Sequence, residues 1–229
     1  MKLMTKMLAG VGLAAAVAAA PLSAQVQGKL ATASISRAVQ NTSALQTAFN
    51  QVNQTYSAQI QTAQQKQTEL SELLKPFDAN GNGEIDGAEN NALEGAPNFA
   101  NIQTLQREIG SINEQVTAAQ VYAVEQILIQ YPAALEEIAG QQQITMVVDP
   151  ASLQFAAEGA DITDQVTTSL NTKAPTVGIV PPNGWRPSPN SVQVFQDIQR
   201  RLILRRLREQ QAQQQQQQEQ GNGEAPAGR

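Results

Sequence analysis

The chain of 229 residues contains no cysteine and no histidine. Without cysteine no disulfide can support the fold, so a chain working in an oxidising compartment must hold itself together by packing alone. Without histidine the commonest general base, the commonest transition-metal ligand and the near-neutral proton switch are all missing. Aromatic residues make up only 4% of the sequence. That is too few for a large packed core and points to an elongated molecule, or to an oligomer that shares its core. Apolar runs are also scarce, and after the first 24 residues none is long enough to span a bilayer.

The apolar run that does exist lies at the start. Lys2 and Lys6 precede an Ala-rich stretch from Leu8 to Ala20, and Pro21-Leu22-Ser23-Ala24 resembles a cleavage site. Residues 1–24 therefore read as a secretory signal peptide cut after Ala24, leaving an exported, soluble mature chain. The formal charge is −5, from 15 basic and 20 acidic side chains. Between Arg37 and Gly140 only Arg37, Lys66, Lys75 and Arg107 are basic, against twelve carboxylates. Arg200, Arg201, Arg205, Arg206 and Arg208 cluster near the C-terminus. An exported and mostly acidic chain is not expected to bind nucleic acid.

The periodicities predict an α+β fold, a small β body carrying a long antiparallel helical-hairpin arm. Lys29–Ser36 and Ile144–Asp149 read as strands, the second closed by Pro150. Ser36 is the expected N-cap of the outgoing helix. Leu45, Phe49, Val52, Tyr56, Ala63, Leu70 and Leu73 follow steps of three and four, with Gln59 and Lys66 interrupting the stripe. Pro76 should end that helix. Ile102, Leu105, Ile109, Ile112, Val116, Ala119 and Ala123 repeat the pattern on the return, where Pro132 should kink the helix and Gly140 stop it. Stripes this narrow suit a two-helix coiled coil better than surface helices of a globular domain, which carry wider apolar faces.

The body is expected to comprise residues 25–36 and 141–180, and the arm residues 37–140. In the body a short helix should start near Asp161 and run to Leu170, with Thr176–Val180 as a possible third strand. Residues 181–190 form a Pro-rich linker, 191–210 a C-terminal helix bearing Val194, Phe195, Ile198 and Leu202, and 211–229 a disordered Gln-rich tail.

One motif carries specific chemistry. Residues 78–89, DANGNGEIDGAE, match the twelve-residue EF-hand calcium loop. Calcium needs six to eight oxygen ligands. Asp78, Asn80 and Asn82 stand at positions 1, 3 and 5, Glu84 offers its carbonyl at position 7, Asp86 fits position 9 and Glu89 is the bidentate acid at position 12. Gly83 permits the sharp turn at position 6. The same composition also suits a plain turn at a hairpin end. With no second loop to pair with, and with Pro76, Gly95 and Pro97 shortening the flanking helices, the expected calcium affinity is only ~0.1–1 mM. No nucleotide site is expected.

The remaining constellations point away from catalysis. Glu136 and Glu137 are helix neighbours that diverge, and the many Ser and Thr residues have no His to activate them. The Arg cluster suits anionic headgroups, an acidic protein, this chain's own acidic arm, or simple solvation.

The order of elements resembles the OmpH/Skp family of periplasmic chaperones. The resemblance rests on a signal peptide, the strand Lys29–Ser36, a long helical hairpin, Gln143-Ile144-Thr145-Met146-Val147-Val148-Asp149-Pro150, Phe155, and Asp161-Ile162-Thr163-Asp164-Gln165-Val166. It covers roughly Gly28 to Leu170. It implies a homotrimer shaped like a jellyfish, with a shared strand body and three arms around a cavity that holds unfolded outer-membrane β-barrel proteins in the periplasm. The chain is then an ATP-independent holdase and not an enzyme. The family's arms are often basic whereas this one is acidic, the calcium-like loop is not general to the family, and the linker and Arg-rich helix extend beyond its usual end. The alternative is an exported, calcium-responsive coiled-coil scaffold of the cell envelope on the same fold.

Overall fold

Two short strands, Lys29–Thr32 (β1) and Ile144–Val148 (β2), lie side by side in parallel, with Leu30 opposite Met146 and Thr32 opposite Val148. A computed structural model describes residues 28–222, with side chains as far as residue 216. The expected signal peptide, and residues 223–229 of the expected tail, lie outside the described residues. Between the strands come α1 (Ile35–Gln40), α2 (Ser43–Thr55), α3 (Ser57–Leu74), α4 (Gly87–Glu94) and α5 (Phe99–Gln142). A 3-10 turn (Pro150–Ser152), α6 (Thr163–Lys173) and α7 (Pro189–Asn222) follow. Parallel strands need a long crossover, and the helical hairpin is that crossover.

β1 is shorter than the expected Lys29–Ser36 because Ser34, not Ser36, caps the first helix. The Ser34 hydroxyl accepts the Arg37 N–H at 3.4 Å, while its own N–H donates to the Thr163 hydroxyl at 3.0 Å. The outgoing helix is also not continuous. Thr42 breaks it by donating its hydroxyl to the Val39 carbonyl at 2.8 Å and accepting the Leu45 N–H at 3.3 Å, which caps α2. Tyr56 then separates α2 from α3 with non-helical ψ. α3 stops at Leu74, just before Pro76.

The return helix α5 is one element of 44 residues with Pro132 inside it. At 1.5 Å per residue it is about 66 Å long. It ends at Gln142 rather than at Gly140. Gln143 takes the left-handed conformation at φ 56° that was expected of a glycine stop, and its N–H returns to the Gly140 carbonyl at 3.3 Å. At the same end of the sheet, Gly28 lies so close to Thr145 that an added Cβ would meet the Thr145 hydroxyl at 1.8 Å.

Residues 176–180 do not form a third strand. Gln126 on α5 takes up both peptide groups of Gly178, accepting its N–H at 3.0 Å and donating to its carbonyl at 2.8 Å. A side-chain amide thus supplies the partners that a strand would have needed. The sheet is prolonged instead by a bridge between Thr32 and Asp161, with Thr32 donating to the Ala160 carbonyl at 2.8 Å and Ile162 donating to the Thr32 carbonyl at 2.9 Å.

The buried side chains form two separate clusters. In the body, α1, α2, α5, α6 and α7 close around Val39, Leu45, Val124, Ile127, Val166 and Ile198. Tyr131 sits in this cluster, where burial, and then the charge of Asp149, push its phenol up to about 12. The second cluster, Leu70, Leu93, Ile102, Leu105 and Ile109, lies at the far end of the arm.

The C-terminal helix begins at Pro189, whose missing N–H suits a first helical position, and runs through Asn222. It passes the expected end at Gln210 and continues through the Gln run expected to be disordered, since Gln and Ala are good helix formers. No helix among the described residues is long and apolar enough to cross a membrane.

Candidate functional site

The arm is the largest feature that the body does not absorb. Its two ends are packed and its middle is thin. Near the middle, Ile60, Ala63, Gln64, Gln67, Ile109, Asn113 and Val116 border an open hollow of about 390 Å³ between α3 and α5. Polar side chains share the seam there, so little apolar area joins the two helices. Lys66, a charge in a seam position, is answered across the hairpin by Glu108 at 2.7 Å. Such a pair is screened and contributes little. The arm is therefore a semi-rigid rod whose outward walls are Gln, Thr, Ser and carboxylates.

The loop joining α3 to α4 caps this rod. Its Ile85 packs on the distal cluster with Phe77 and Phe99, so the loop sits at the tip, at the end of α5 opposite the sheet. Five of the six expected ligand side chains, Asp78, Asn80, Asn82, Asp86 and Glu89, accept backbone N–H groups of the loop itself. Asp78 accepts the N–H groups of Asn82 and Gly83 at 3.0 and 2.8 Å. Asn80 accepts from Asn82 at 2.9 Å, and Asn82 accepts from Glu84 at 2.7 Å. Gly81 and Gly83 supply the left-handed turns at φ 70° and 81°.

Asp86 and Glu89 are engaged differently. Asp86 caps α4, and Glu89 completes the capping box by accepting the Asp86 N–H at 3.1 Å. The other Glu89 oxygen accepts the N–H groups of Ala79 and Asn80 at 2.8 and 3.2 Å. Only 7% exposed, this carboxylate staples the two ends of the loop. Glu84 is exposed. Among the described residues, no group of three or more Asp, Glu, His or Cys side chains is close enough to hold a metal ion.

The second candidate is the open face of the sheet. Leu30 and Met146 are register partners, and they are 46% and 52% exposed. Phe155, in the loop after the 3-10 turn, is 84% exposed. A two-stranded sheet cannot bury both faces alone, and here the unburied face carries the large apolar side chains.

The family model described as "Outer membrane protein (OmpH-like)" matches residues 29–170, more than half of the chain. The chain belongs to the OmpH-like family. Its match runs from the first residue of β1 into α6, so the body and the arm lie within it and the linker and α7 lie beyond it. Among solved structures, the OmpH-like protein of Caulobacter crescentus CB15, a proposed outer-membrane chaperone, is similar at 17% identity and a TM-score of 0.42, over 78% of this chain and 96% of that one. No curated protein matches.

Outside the family region, sequence reading assigns Trp185 only to an extended linker. In this OmpH-like protein Trp185 packs edge-on against Tyr122, with ring centroids 5.2 Å apart, and bonds to Glu125. A lone Trp in a chain so poor in aromatics is the signal that marks it as an anchor. Glu137, which sequence reading gives only as a helix neighbour diverging from Glu136, joins α5 to α6, meeting Lys173 at 2.8 Å and the Ser169 hydroxyl at 2.9 Å. These bonds, Lys173 first, hold its carboxyl below the usual range.

Proposed function

We propose that this OmpH-like protein is an ATP-independent holdase of the periplasm, exported by its N-terminal signal peptide, that keeps unfolded outer-membrane β-barrel proteins from aggregating. The observation that carries this reading is the construction of the arm: the half of α5 from Phe99 to Ala118, about 30 Å long, projects with α3 from a body that holds the other half and the small sheet, and it has a thin seam and polar walls. Unfolded β-barrel chains expose apolar strands with unpaired edges, which aggregate by pairing with one another. A polar wall solvates the client backbone and touches its apolar side chains only briefly. Many weak contacts of this kind hold a client without a fixed groove and without turnover chemistry.

A cage needs more than one arm. The exposed Leu30 and Met146 face is where copies of the body join, and a homotrimer places three arms around one cavity. Membership of the OmpH-like family supports the client class. Purified protein should suppress aggregation of an unfolded β-barrel protein stoichiometrically and without nucleotide, and should bind the folded barrel poorly. Equal binding of the two forms would reject the holdase reading.

A second reading, favoured by the inward-turned oxygens of Asp78, Asn80 and Asn82, is an envelope scaffold whose tip takes calcium through Asp78, Asn80, Asn82, Glu84, Asp86 and Glu89. Glu89 must then exchange some of its backbone donors for the cation. Calcium-dependent ordering of the arm with no client capture would favour the scaffold.

A further inference from the structure

The helix α7 has two apolar faces, and only one is used. Val194, Phe195 and Ile198 are buried against the body, with Phe195 edge-on to Phe49 at 6.5 Å. Ile203, Leu204 and Leu207 lie on the other side of the helix and are 55%, 46% and 49% exposed. From Ile203 to residue 216 every side chain is exposed. Around the three aliphatic residues stand Arg200, Arg201, Arg205, Arg206 and Arg208, with Glu209 as the one acid from Arg200 to Glu209. Arg200 meets Asp197 at 3.5 Å and Arg205 meets Glu209 at 3.7 Å. Arg201, Arg206 and Arg208 form no ion pair among the described residues.

We propose that this free half of α7 docks on an anionic phospholipid bilayer, lying along the surface. Ile203, Leu204 and Leu207 turn into the boundary between headgroups and acyl chains, and the arginines on either flank meet the phosphates. A short apolar strip bordered by cations is the pattern of a helix that rests in a membrane interface, and the long Arg stems allow the guanidinium groups to reach outward while the strip sinks.

Charge decides between the possible occupants. Two copies of α7 packed on this strip would bring ten arginines together against six carboxylates, those of Asp197, Glu209 and Glu219 in each, so self-pairing is opposed by repulsion. The chain's own acidic arm is out of line. α7 starts beside Asn113 and Glu114 of α5 and runs toward the α1–α2 junction, where Leu202 and Arg205 lie beside Gln40 and Asn41. Beyond that point the helix leaves the body on the side away from the arm. An anionic surface matches both the charge and the apolar strip. The proposal is independent of the holdase reading, because α7 lies outside the family region and client capture does not enter the assay.

The test is co-sedimentation of the exported chain, from Gln25 to Arg229, with vesicles. Phosphatidylglycerol vesicles should take up the protein at least about tenfold more strongly than phosphatidylcholine vesicles, since each Arg near an anionic surface strengthens partition by about fivefold at low salt. The combined variant R201Q, R206Q and R208Q should lose that preference, and salt should weaken it. The variant I203S, L204S and L207S should lower uptake on the same anionic vesicles. All six positions are exposed, so the fold should be undisturbed, which the helical signal in circular dichroism verifies. Equal uptake by the two lipids, or uptake unaffected by either variant, would overturn the proposal. So would a change of native mass in these variants with vesicle uptake unaltered, since the strip would then be an interface between protein chains.

Discussion

The indole N–H of Trp185 donates to the Glu125 carboxylate at 2.7 Å, and the second oxygen of the same carboxylate accepts the Ser188 N–H at 3.2 Å. One side chain in the middle of α5 therefore anchors the linker to the root of the arm. Ser188 in turn caps α7, its hydroxyl accepting the Ser191 N–H at 3.1 Å. The order is thus arm, then linker, then helix, and the stability of the C-terminal extension depends on Glu125.

The Trp185→Phe variant keeps the ring beside Tyr122 but loses the hydrogen bond to a charged acceptor. It should destabilise the protein by about 1–2 kcal/mol. Trp185→Ala also removes a half-buried ring and should cost about 2–3 kcal/mol. Urea unfolding followed by circular dichroism measures both. Equal midpoints for the three proteins would show that the linker does not hold the extension.

In the proposed trimer the exposed Leu30 and Met146 are covered by a second copy. Substituting both with Glu puts two carboxylates on one face of the sheet, where burial without partners is costly. The wild-type chain should have a trimeric mass by light scattering at micromolar concentration, and the double variant the mass of one protomer with its helices intact. A monomeric wild-type chain would remove the shared body from the account.

Calcium should bind at the tip with an affinity in the ~0.1–1 mM range. Glu89→Gln should weaken it most, because it takes a charge from the one bidentate ligand. The same substitution also weakens the loop closure onto Ala79, Asn80 and Asp86, so melting should be followed with and without calcium. A calorimetric titration with no heat at millimolar calcium would leave the loop as a turn alone.

Acid should loosen the body before neutral conditions do. Asp161 is raised by partial burial, but its bonds with Thr163 and Arg37 outweigh that and hold its carboxyl below the usual value. Glu137 is lowered by Lys173 and Ser169. A folded pKa below the unfolded value gives stability that is present above the unfolded pKa, near 4 for these groups. It is lost as the pH falls through the folded pKa. Stability should therefore be flat from about pH 5 to 8 and fall below about pH 4. Asp161→Asn should reduce the acid dependence, with a cost at neutral pH below about 1 kcal/mol because the Arg37 pair is part-exposed. An unchanged acid limb in this variant would assign the loss to other carboxylates.

The sequence was most legible where a repeat was long. Ile102, Leu105 and Ile109 are buried at the positions their spacing demanded, and the two strands are adjacent because the hairpin returns to its root. It was least legible where one side chain overrides a pattern. Thr42 and Tyr56 interrupt a seam that reads as continuous, and Gln143 adopts the left-handed turn in place of Gly140. Gln126 satisfies Gly178 and removes a strand that the Val177-Gly178-Ile179 run suggests. At the tip, the spacing of Asp78 to Glu89 was visible in the sequence. Spacing does not say which oxygens the backbone will take, and Glu89 is bonded to three N–H groups. The Trp185–Glu125 anchor joins residues 60 positions apart, a distance no local pattern reports.

The claim that this OmpH-like protein encloses an unfolded chain is tested most directly by its native mass with and without an unfolded β-barrel client, measured without nucleotide. The account predicts a trimer alone, and with client a single soluble species heavier by the mass of one client chain. The same client, once folded, should leave the mass of the trimer unchanged. A mass that does not change with the unfolded client, or that rises equally with the folded barrel, would contradict enclosure.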